Sequence, residues 1–174
     1  RLLYTLEIRG FVEKDTVRRT YALSWHAMLL GDQARRQSRL LTAAEPHMDD
    51  LRRLTGCNIS VQVRDGMHSV TAALRQGTQE QRIYADVGRR GPLHAGGGPK
   101  ILLAFAPEEV REAVLASELA RFTPSTMIEP DRLRAALATI RRDGWVISEG
   151  ELDYSTCSIA IPIFNSNSEV AAAM

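Results

Sequence analysis

Gly91-Pro92-Leu93-His94-Ala95-Gly96-Gly97-Gly98-Pro99-Lys100 is the stretch on which the reading of this chain turns. Three consecutive glycines stand just before the apolar Ile101–Ala106, which is read as part of a helix. Glycine has no Cβ, so such a turn lets backbone N–H groups come close to a ligand, and the start of a helix favours an anion. Two nucleotide folds use glycine turns of this kind, and neither spacing is met. A Walker A loop ends in Gly-Lys-Ser/Thr, whereas Lys100 lies between Pro99 and Ile101; the Gly-x-Gly-x-x-Gly dinucleotide spacing is also absent. A small carboxylate suits the turn without any phosphate. A tight turn that binds nothing fits the residues equally well.

Upstream of this turn, Asn58–Arg64 and Ser69–Leu74 alternate as strands around the hairpin dipeptide Asp65-Gly66, and a third strand is read over Arg82–Val87. Before them, Leu40, Ala44, Met48, Leu51 and Leu54 follow a helical period closed by Gly56, and Pro46 is expected to bend or restart that helix. Downstream, Pro107-Glu108-Glu109 opens a helix, with acids placed to suit its dipole. A further helix covers Pro130–Arg142, with Leu133, Leu137 and Ile140 on one stripe and Asp143-Gly144 as its stop. Strands at Trp145–Ser148, Ser158–Phe164 and from Val170 onward complete the order. Helix, strands, helices, strands reads as an α+β fold with an antiparallel sheet and flanking helices.

The leader has its own pattern. Leu2–Ile8 reads as the tail of an amphipathic helix closed by Gly10. Phe11–Glu13 and Thr20–Leu23 read as a hairpin around a charged turn, and Trp25–Leu30 as an apolar helix running into the charged Asp32–Arg39. So short a leader cannot bury enough surface to fold alone, and it begins on Arg1 rather than Met, so it is expected to be the end of a domain that starts earlier in a longer parent chain.

In 174 residues, 44% hydrophobic and 25% charged, there is material for one sizeable domain and no sign of disorder. No apolar run is long enough to span a bilayer and no signal segment is visible, so no membrane association is expected and the protein is placed in the cytoplasm. The net charge of +1 hides an asymmetry: residues 1–40 hold eight bases against four acids, leaving 14 bases against 17 acids in the remainder. A basic leader on a mildly acidic body fits a nucleic-acid-contacting end, and fits a solvated helix face as well. Cys57 and Cys157 match no zinc or Cys-x-x-Cys spacing and read as two buried free thiols, with a disulfide between them left open.

No constellation points to catalysis. His26, His47, His68 and His94 lack metal-ligand spacing, so no metal or cofactor is expected; His94 reads as a pin for the glycine loop. Glu149, Glu151 and Asp153 read as a solvated acidic turn. Ser148, Thr156 and Ser158 stand among Val146, Ile147, Ile159 and Ile161. A few polar groups between apolar walls is how small-molecule pockets are built, although serines satisfied by backbone look the same in sequence.

Several segments in fixed order carry a resemblance over essentially the whole chain: Arg1-Leu2-Leu3 with Leu6 and Gly10-Phe11-Val12; Tyr21-Ala22-Leu23-Ser24; Gly91-Pro92-Leu93-His94-Ala95 with Lys100; Asp143-Gly144-Trp145; and Ile159-Ala160-Ile161-Pro162-Ile163-Phe164. Together they resemble the IclR family of bacterial transcription regulators. The resemblance implies that residues 1–24 are the end of a winged helix-turn-helix domain, residues 25–40 a linker helix, and residues 41–174 an effector-binding domain of GAF-like fold. It further implies a homodimer or homotetramer, operator DNA bound through the full-length parent chain, and a switch operated by a small metabolite, commonly an organic or aromatic acid. Because most of the recognition helix would precede Arg1, the chain itself is expected to touch DNA only at the backbone, through Lys14, Arg18 and Arg19.

The family's effector positions fall here on Ile83, Gly97, Gly98, Ser148 and Ser158, and Ile159 is expected to add apolar wall. The expected docking puts a carboxylate on the N–H groups of Gly97 and Gly98, with Ser148 and Ser158 as hydrogen-bond partners. Three departures keep the ligand from being carried over from a relative: Gly96 and Pro99 replace the family's usual loop residues, Ser158 stands where Cys is frequent, and Ser148 aligns near an acid of some members. Trp25, Met28, Leu29 and Leu30 are the expected dimer contact, or else a stripe shielded within one subunit. The competing reading of the whole chain is an enzyme acting on a small carboxylic acid through His94 or the Glu149 cluster; a third is a bare sensor module without a DNA-binding partner.

Overall fold

Helix α1 (Leu2–Ile8) ends in a hydrogen-bonded reversal that its sequence anticipates. The Gly10 N–H donates to the Glu7 carbonyl at 2.9 Å and the Phe11 N–H to the Leu6 carbonyl at 2.8 Å, while Gly10 takes a φ of +75°. This is the Schellman arrangement, in which glycine accepts the left-handed conformation that satisfies the last carbonyls. The chain then enters the hairpin of β1 (Val12–Asp15) and β2 (Thr20–Leu23), paired antiparallel from Val12 with Leu23 to Asp15 with Thr20. Ser24 caps α2 (Trp25–Gln37): its Oγ accepts the His26 N–H at 3.2 Å and also donates to the Gly10 carbonyl. Ser24 thus closes the hairpin and opens the helix.

The computed structural model describes residues 1–78 and 86–174, and the chain divides into two units, Arg1–Ala43 and Ala44–Met174. Helix α3 (Arg39–Thr55) carries the chain from one unit to the next and runs through Pro46 without restarting. Proline inside a helix costs about 3 kcal/mol. Full burial of Met48 and the contacts of Glu45 (3.6 Å) and Asp49 (3.0 Å) with Arg75 hold the helix together around it.

In the second unit the main sheet is antiparallel with five strands. These are β3 (Ile59–Asp65), β4 (His68–Arg75), β5 (Arg90–Pro92), β8 (Pro162–Phe164) and β9 (Val170–Ala173), in spatial order β5-β4-β3-β9-β8. A separate antiparallel pair joins β6 (Val146–Glu149) and β7 (Cys157–Ala160). The expected single strand over Ser158–Phe164 is therefore two strands in two sheets. Ile161 is the crossing point, exchanging backbone hydrogen bonds with Met174 at 2.9 and 3.0 Å, and Pro162 starts the second strand. Most of the strand expected over Arg82–Val87 lies outside the described residues; Asp86 and Val87 are not in a strand. The edge strand is instead Arg90–Pro92, where proline costs no ladder bond.

Helix α4 (Gly97–Ala104) is the centre of this unit, touching β3, β6, β7 and β9 as well as α5 (Glu108–Ala116) and α6 (Pro130–Asp143). It starts four residues earlier than expected, so the glycines form its first turn. Pro99 is tolerated there because first-turn N–H groups have no partner within the helix. Ile101 and Leu103 are fully buried, packed in one core with Leu93, Val114, Leu133, Leu137 and Ile140. Each fully buried side chain of this size contributes about 1.5–3 kcal/mol. The α6 stripe is the one its sequence predicts, and Gly144 ends that helix with a φ of +77°.

Candidate functional site

The first turn of α4 has four positions to satisfy, and the chain deals with them unequally. Gly96 precedes the helix with a φ of +90°, and its N–H donates to Glu151 Oε2 at 3.0 Å. Pro99 has no N–H, and the Lys100 N–H reaches back to the Gly96 carbonyl at 3.2 Å. That leaves Gly97 and Gly98, whose N–H groups have no acceptor among the described residues. Both glycines line a cavity of about 440 Å³.

Five of the six expected pocket residues, Gly97, Gly98, Ser148, Ser158 and Ile159, line this same cavity. Ile83 lies outside the described residues. Ser148 and Ser158 are register partners across β6 and β7, which puts the two expected hydroxyl residues opposite one another; Ser148 is buried and Ser158 exposed. Both glycines are closely packed. A Cβ on Gly97 would lie 2.9 Å from Ser158 Oγ and 3.1 Å from Ala160 Cβ, and a Cβ on Gly98 would overlap Gln62 Oε1.

The wall facing them was not found from sequence. Asn58, Ser60 and Gln62 line the cavity, at alternate positions entering and along β3, while Val61 between them is fully buried. Their alternation is visible in the sequence, but a polar strand face reads as solvent until a helix is known to cover it. Asn58 Oδ1 accepts the Gly77 N–H at 2.8 Å, whereas Gln62 Oε1 is buried and has no hydrogen-bond partner among the described residues.

No Asp, Glu, Lys, Arg or His is among the described residues lining the cavity. Behind the glycine turn, Lys100 Nζ and the Glu151 carboxylate form an ion pair in which both side chains are buried. The Thr126 hydroxyl also donates to the Glu151 carbonyl at 2.7 Å. Glu151 is thus not part of a solvated acidic turn as its neighbours suggest; it caps the α4 glycine turn from within. His94 is buried, donates from Nε2 to the Ala120 carbonyl at 2.9 Å and stacks on Phe122, in keeping with a pinning role. Neither His94 nor Glu149 lines the cavity. Cys57 and Cys157 are free and, contrary to the buried reading, exposed; both border the cavity. Among the described residues no group of side chains could hold a metal ion, and no helix is long and apolar enough to cross a membrane.

In the first unit, Lys14, Arg18 and Arg19 are exposed on the β1–β2 hairpin. Asp15 Oδ1 organises the turn by accepting the Val17 and Arg18 N–H groups, both at 2.9 Å, and Arg19 takes a φ of +55°. Along α2, Trp25, Met28, Leu29 and Leu30 are all more than half exposed, so none of the described residues shields that stripe.

A neutral cavity beside a sheet, with two unpaired N–H groups at a buried helix start, defines a small-molecule-binding domain of α+β class. The profile described as bacterial transcriptional regulator IclR C-terminal matches residues 33–174, and the chain belongs to the IclR family of transcriptional regulators. It is 30% identical over 173 residues to the HTH-type transcriptional regulator KipR of Bacillus subtilis, covering 99% of this chain and 69% of that protein. Among solved structures it is similar to the IclR of Thermotoga maritima, with a TM-score of 0.82 and 26% identity over 98% of this chain and 69% of that one. It is also similar to an IclR homologue from Microbacterium hydrocarbonoxydans complexed with 4-hydroxybenzoate, with a TM-score of 0.84 and 27% identity over 99% of this chain and 72% of the other.

Proposed function

We propose that the cavity is the effector site of a ligand-responsive DNA-binding regulator, and that its effector is a small organic acid held by its carboxylate on the Gly97 and Gly98 N–H groups. The observation that carries this reading is the pair of amides left without acceptors at the start of α4, on the wall of a cavity. A helix N-terminus stabilises an anion by roughly 0.3–2 kcal/mol. Each hydrogen bond to a charged group adds about 1.5–3 kcal/mol. Together these can hold a carboxylate with no cationic side chain on the wall. Ser148 and Ser158 serve as further hydrogen-bond partners, with Ile159 as apolar wall. Ile83 keeps its proposed place beside them by resemblance alone.

The partners follow from the family and the exposed surfaces. Lys14, Arg18 and Arg19 contact phosphates of operator DNA when the parent chain is bound, working in the cytoplasm, and residues 1–24 belong to its winged helix-turn-helix. Residues 25–40 form the linker, and the exposed stripe of Trp25, Met28, Leu29 and Leu30 is where a second copy docks to make the homodimer, or a pair of copies the homotetramer. Ligand binding switches transcription only through unequal affinity for the DNA-competent and DNA-incompetent arrangements. The enzyme reading is disfavoured by one specific observation: the two groups it would use, His94 and Glu149, are not on the cavity wall.

Calorimetry of small carboxylic acids against the chain and its Gly97→Val variant tests the site. Valine at 97 drives into Ser158 and Ala160, so binding should fall at least tenfold. An unchanged affinity removes the assignment, and chemical conversion of the recovered acid would revive the enzyme.

A further inference from the structure

Asn58 carries a hydrogen-bond donor that the described residues leave unused. It lines the cavity immediately before β3, in alternation with Ser60, whose register partner Leu74 lines the cavity too. The orientation of its amide is fixed: Oδ1 accepts the Gly77 N–H at 2.8 Å, so the remaining group is Nδ2, which can donate and cannot accept. Nδ2 has no acceptor among the described residues. It is not sealed inside the protein either, because Gln62 Oε1 is the only buried side-chain nitrogen or oxygen without a partner among the described residues. Asn58 also stands toward the open end of the cavity. Its neighbour Cys57 and Cys157 are exposed on the border, whereas Gly97 is buried at the start of α4.

From this, and resting on the carboxylate reading of the site, we infer that Asn58 Nδ2 donates to a second oxygen acceptor at the far end of the effector. The ligand class is a linear acid that carries another carboxylate, or a carboxamide, opposite the carboxylate held at Gly97 and Gly98. The end group follows from the donor. An ammonium would meet the Asn58 N–H groups with N–H groups of its own, and a methyl would leave them unpaired. A second charge is tolerated there because the exposed border leaves it part of its hydration. The spacing follows from the strand. Gly98 packs against Gln62, and Asn58 lies four residues earlier in the chain, about 13 Å away at the rise of a strand. Subtracting about 3 Å of hydrogen-bond reach at each end leaves roughly 7 Å, the span of a chain of about five to seven carbons. In this arrangement Gly97 and Gly98 recognise the acid, and Asn58 reads what its other end carries.

The test compares pentanoate, hexanoate and heptanoate with glutarate, adipate and pimelate by calorimetry on the intact chain, and adds adipamic acid and 6-aminohexanoate, which share the adipate chain. At least one diacid is expected to bind about tenfold or more tighter than the monoacid of its length, and adipamic acid to bind tighter than 6-aminohexanoate. In NMR titration the Asn58 side-chain NH2 signal, identified by its loss in Asn58→Asp, should move with the diacid and stay with the monoacid, while the Gly97 and Gly98 amide signals move with both. Asn58→Asp keeps an oxygen for the Gly77 N–H and turns the unused donor into an acceptor. The order should then reverse, with 6-aminohexanoate overtaking adipate, a swap that general damage to the cavity would not produce. The ligand comparison within the unaltered chain decides even if the variant fails to fold. Equal binding of monoacids and diacids, or 6-aminohexanoate binding as tightly as adipate, overturns the role of Asn58 and leaves the carboxylate site intact. A gain for diacids that leaves the Asn58 signal unmoved overturns it too, because another group then holds the far end. Binding of none of these acids overturns the inference and the carboxylate reading together.

Discussion

Replacing Glu151 by glutamine removes one charge from a pair with no access to water. Both Lys100 and Glu151 are less than a tenth exposed, and the carboxylate has two jobs: it neutralises the Lys100 ammonium and accepts the Gly96 N–H at 3.0 Å. Glutamine can keep the second through its amide oxygen, so the variant isolates the first. Breaking a buried pair by removing one partner costs about 3–5 kcal/mol, because the remaining charge has neither water nor counter-ion. For a chain of this size each kcal/mol lowers Tm by roughly 2–4 °C. Glu151→Gln should therefore melt about 6–20 °C below the parent, or show an equivalent loss in urea. Lys100→Met with Glu151→Gln removes both charges, and replacing a buried pair in this way is often close to neutral. The double variant should then recover most of the loss, giving a coupling energy of about 2 kcal/mol or more in the cycle. A Glu151→Gln variant within about 1 kcal/mol of the parent would refute the reasoning, since a loss that small belongs to solvent-screened pairs.

The same pair bears on the ligand. Lys100→Met alone leaves the Glu151 carboxylate uncompensated one amide away from the proposed anion site. At an effective dielectric near 20, two like charges about 4 Å apart repel by about 4 kcal/mol, and proportionately less with distance. Carboxylate affinity should fall at least tenfold and return when Glu151→Gln is added; equal affinity in calorimetry of all three chains would sink the idea. In the first unit, Asp32 is held below its ordinary value of 3.8 by hydrogen bonds from Arg36, first, and Arg35. Since its folded pKa is depressed, its contribution to α2 is present above the unfolded value and lost as pH falls through the lower folded one. Helix content of α2 should then decline only in acid, below about pH 4, and Asp32→Asn should lack that component. A carboxyl-carbon NMR titration returning the ordinary value would count against it.

Local signals were the legible part of this chain. Gly10 and Gly144 mark the ends of α1 and α6, Asp65-Gly66 turns β3 into β4, and Leu133, Leu137 and Ile140 form the buried stripe expected of α6. Each depends on neighbours within a turn or two, which the sequence displays directly. The glycine run was legible in a stronger sense, because an unpaired N–H at a helix start is a consequence of helix geometry wherever the helix begins. What escaped depends on residues distant in the chain. Glu151 lies 55 residues from the Gly96 amide it caps, so nothing around it distinguishes a buried counter-ion from the solvated Glu149 two residues earlier. The two-sheet division of residues 157–164 is decided by Met174 and β6, and neither pairing leaves a trace in the strand's own alternation.

The least legible feature is the one with the most chemical consequence. Asn58, Ser60 and Gln62 follow the same period as any strand facing water, and only the placement of α4 against β3 turns that face inward. Once it is inward, the division of donors becomes unequal. Gly96 spends its N–H on Glu151, Pro99 has none to give, and Lys100 returns its own to the Gly96 carbonyl, so the free pair at Gly97 and Gly98 is what the protein's internal bonding leaves over. An anion site built this way needs no positive side chain and admits no internal competitor. At the proposed site a carboxylate would enter and leave without disturbing the Lys100–Glu151 pair that holds the turn. Specificity at such a site must then come from the neutral groups of the wall, Asn58, Ser60, Ser148 and Ser158 among them.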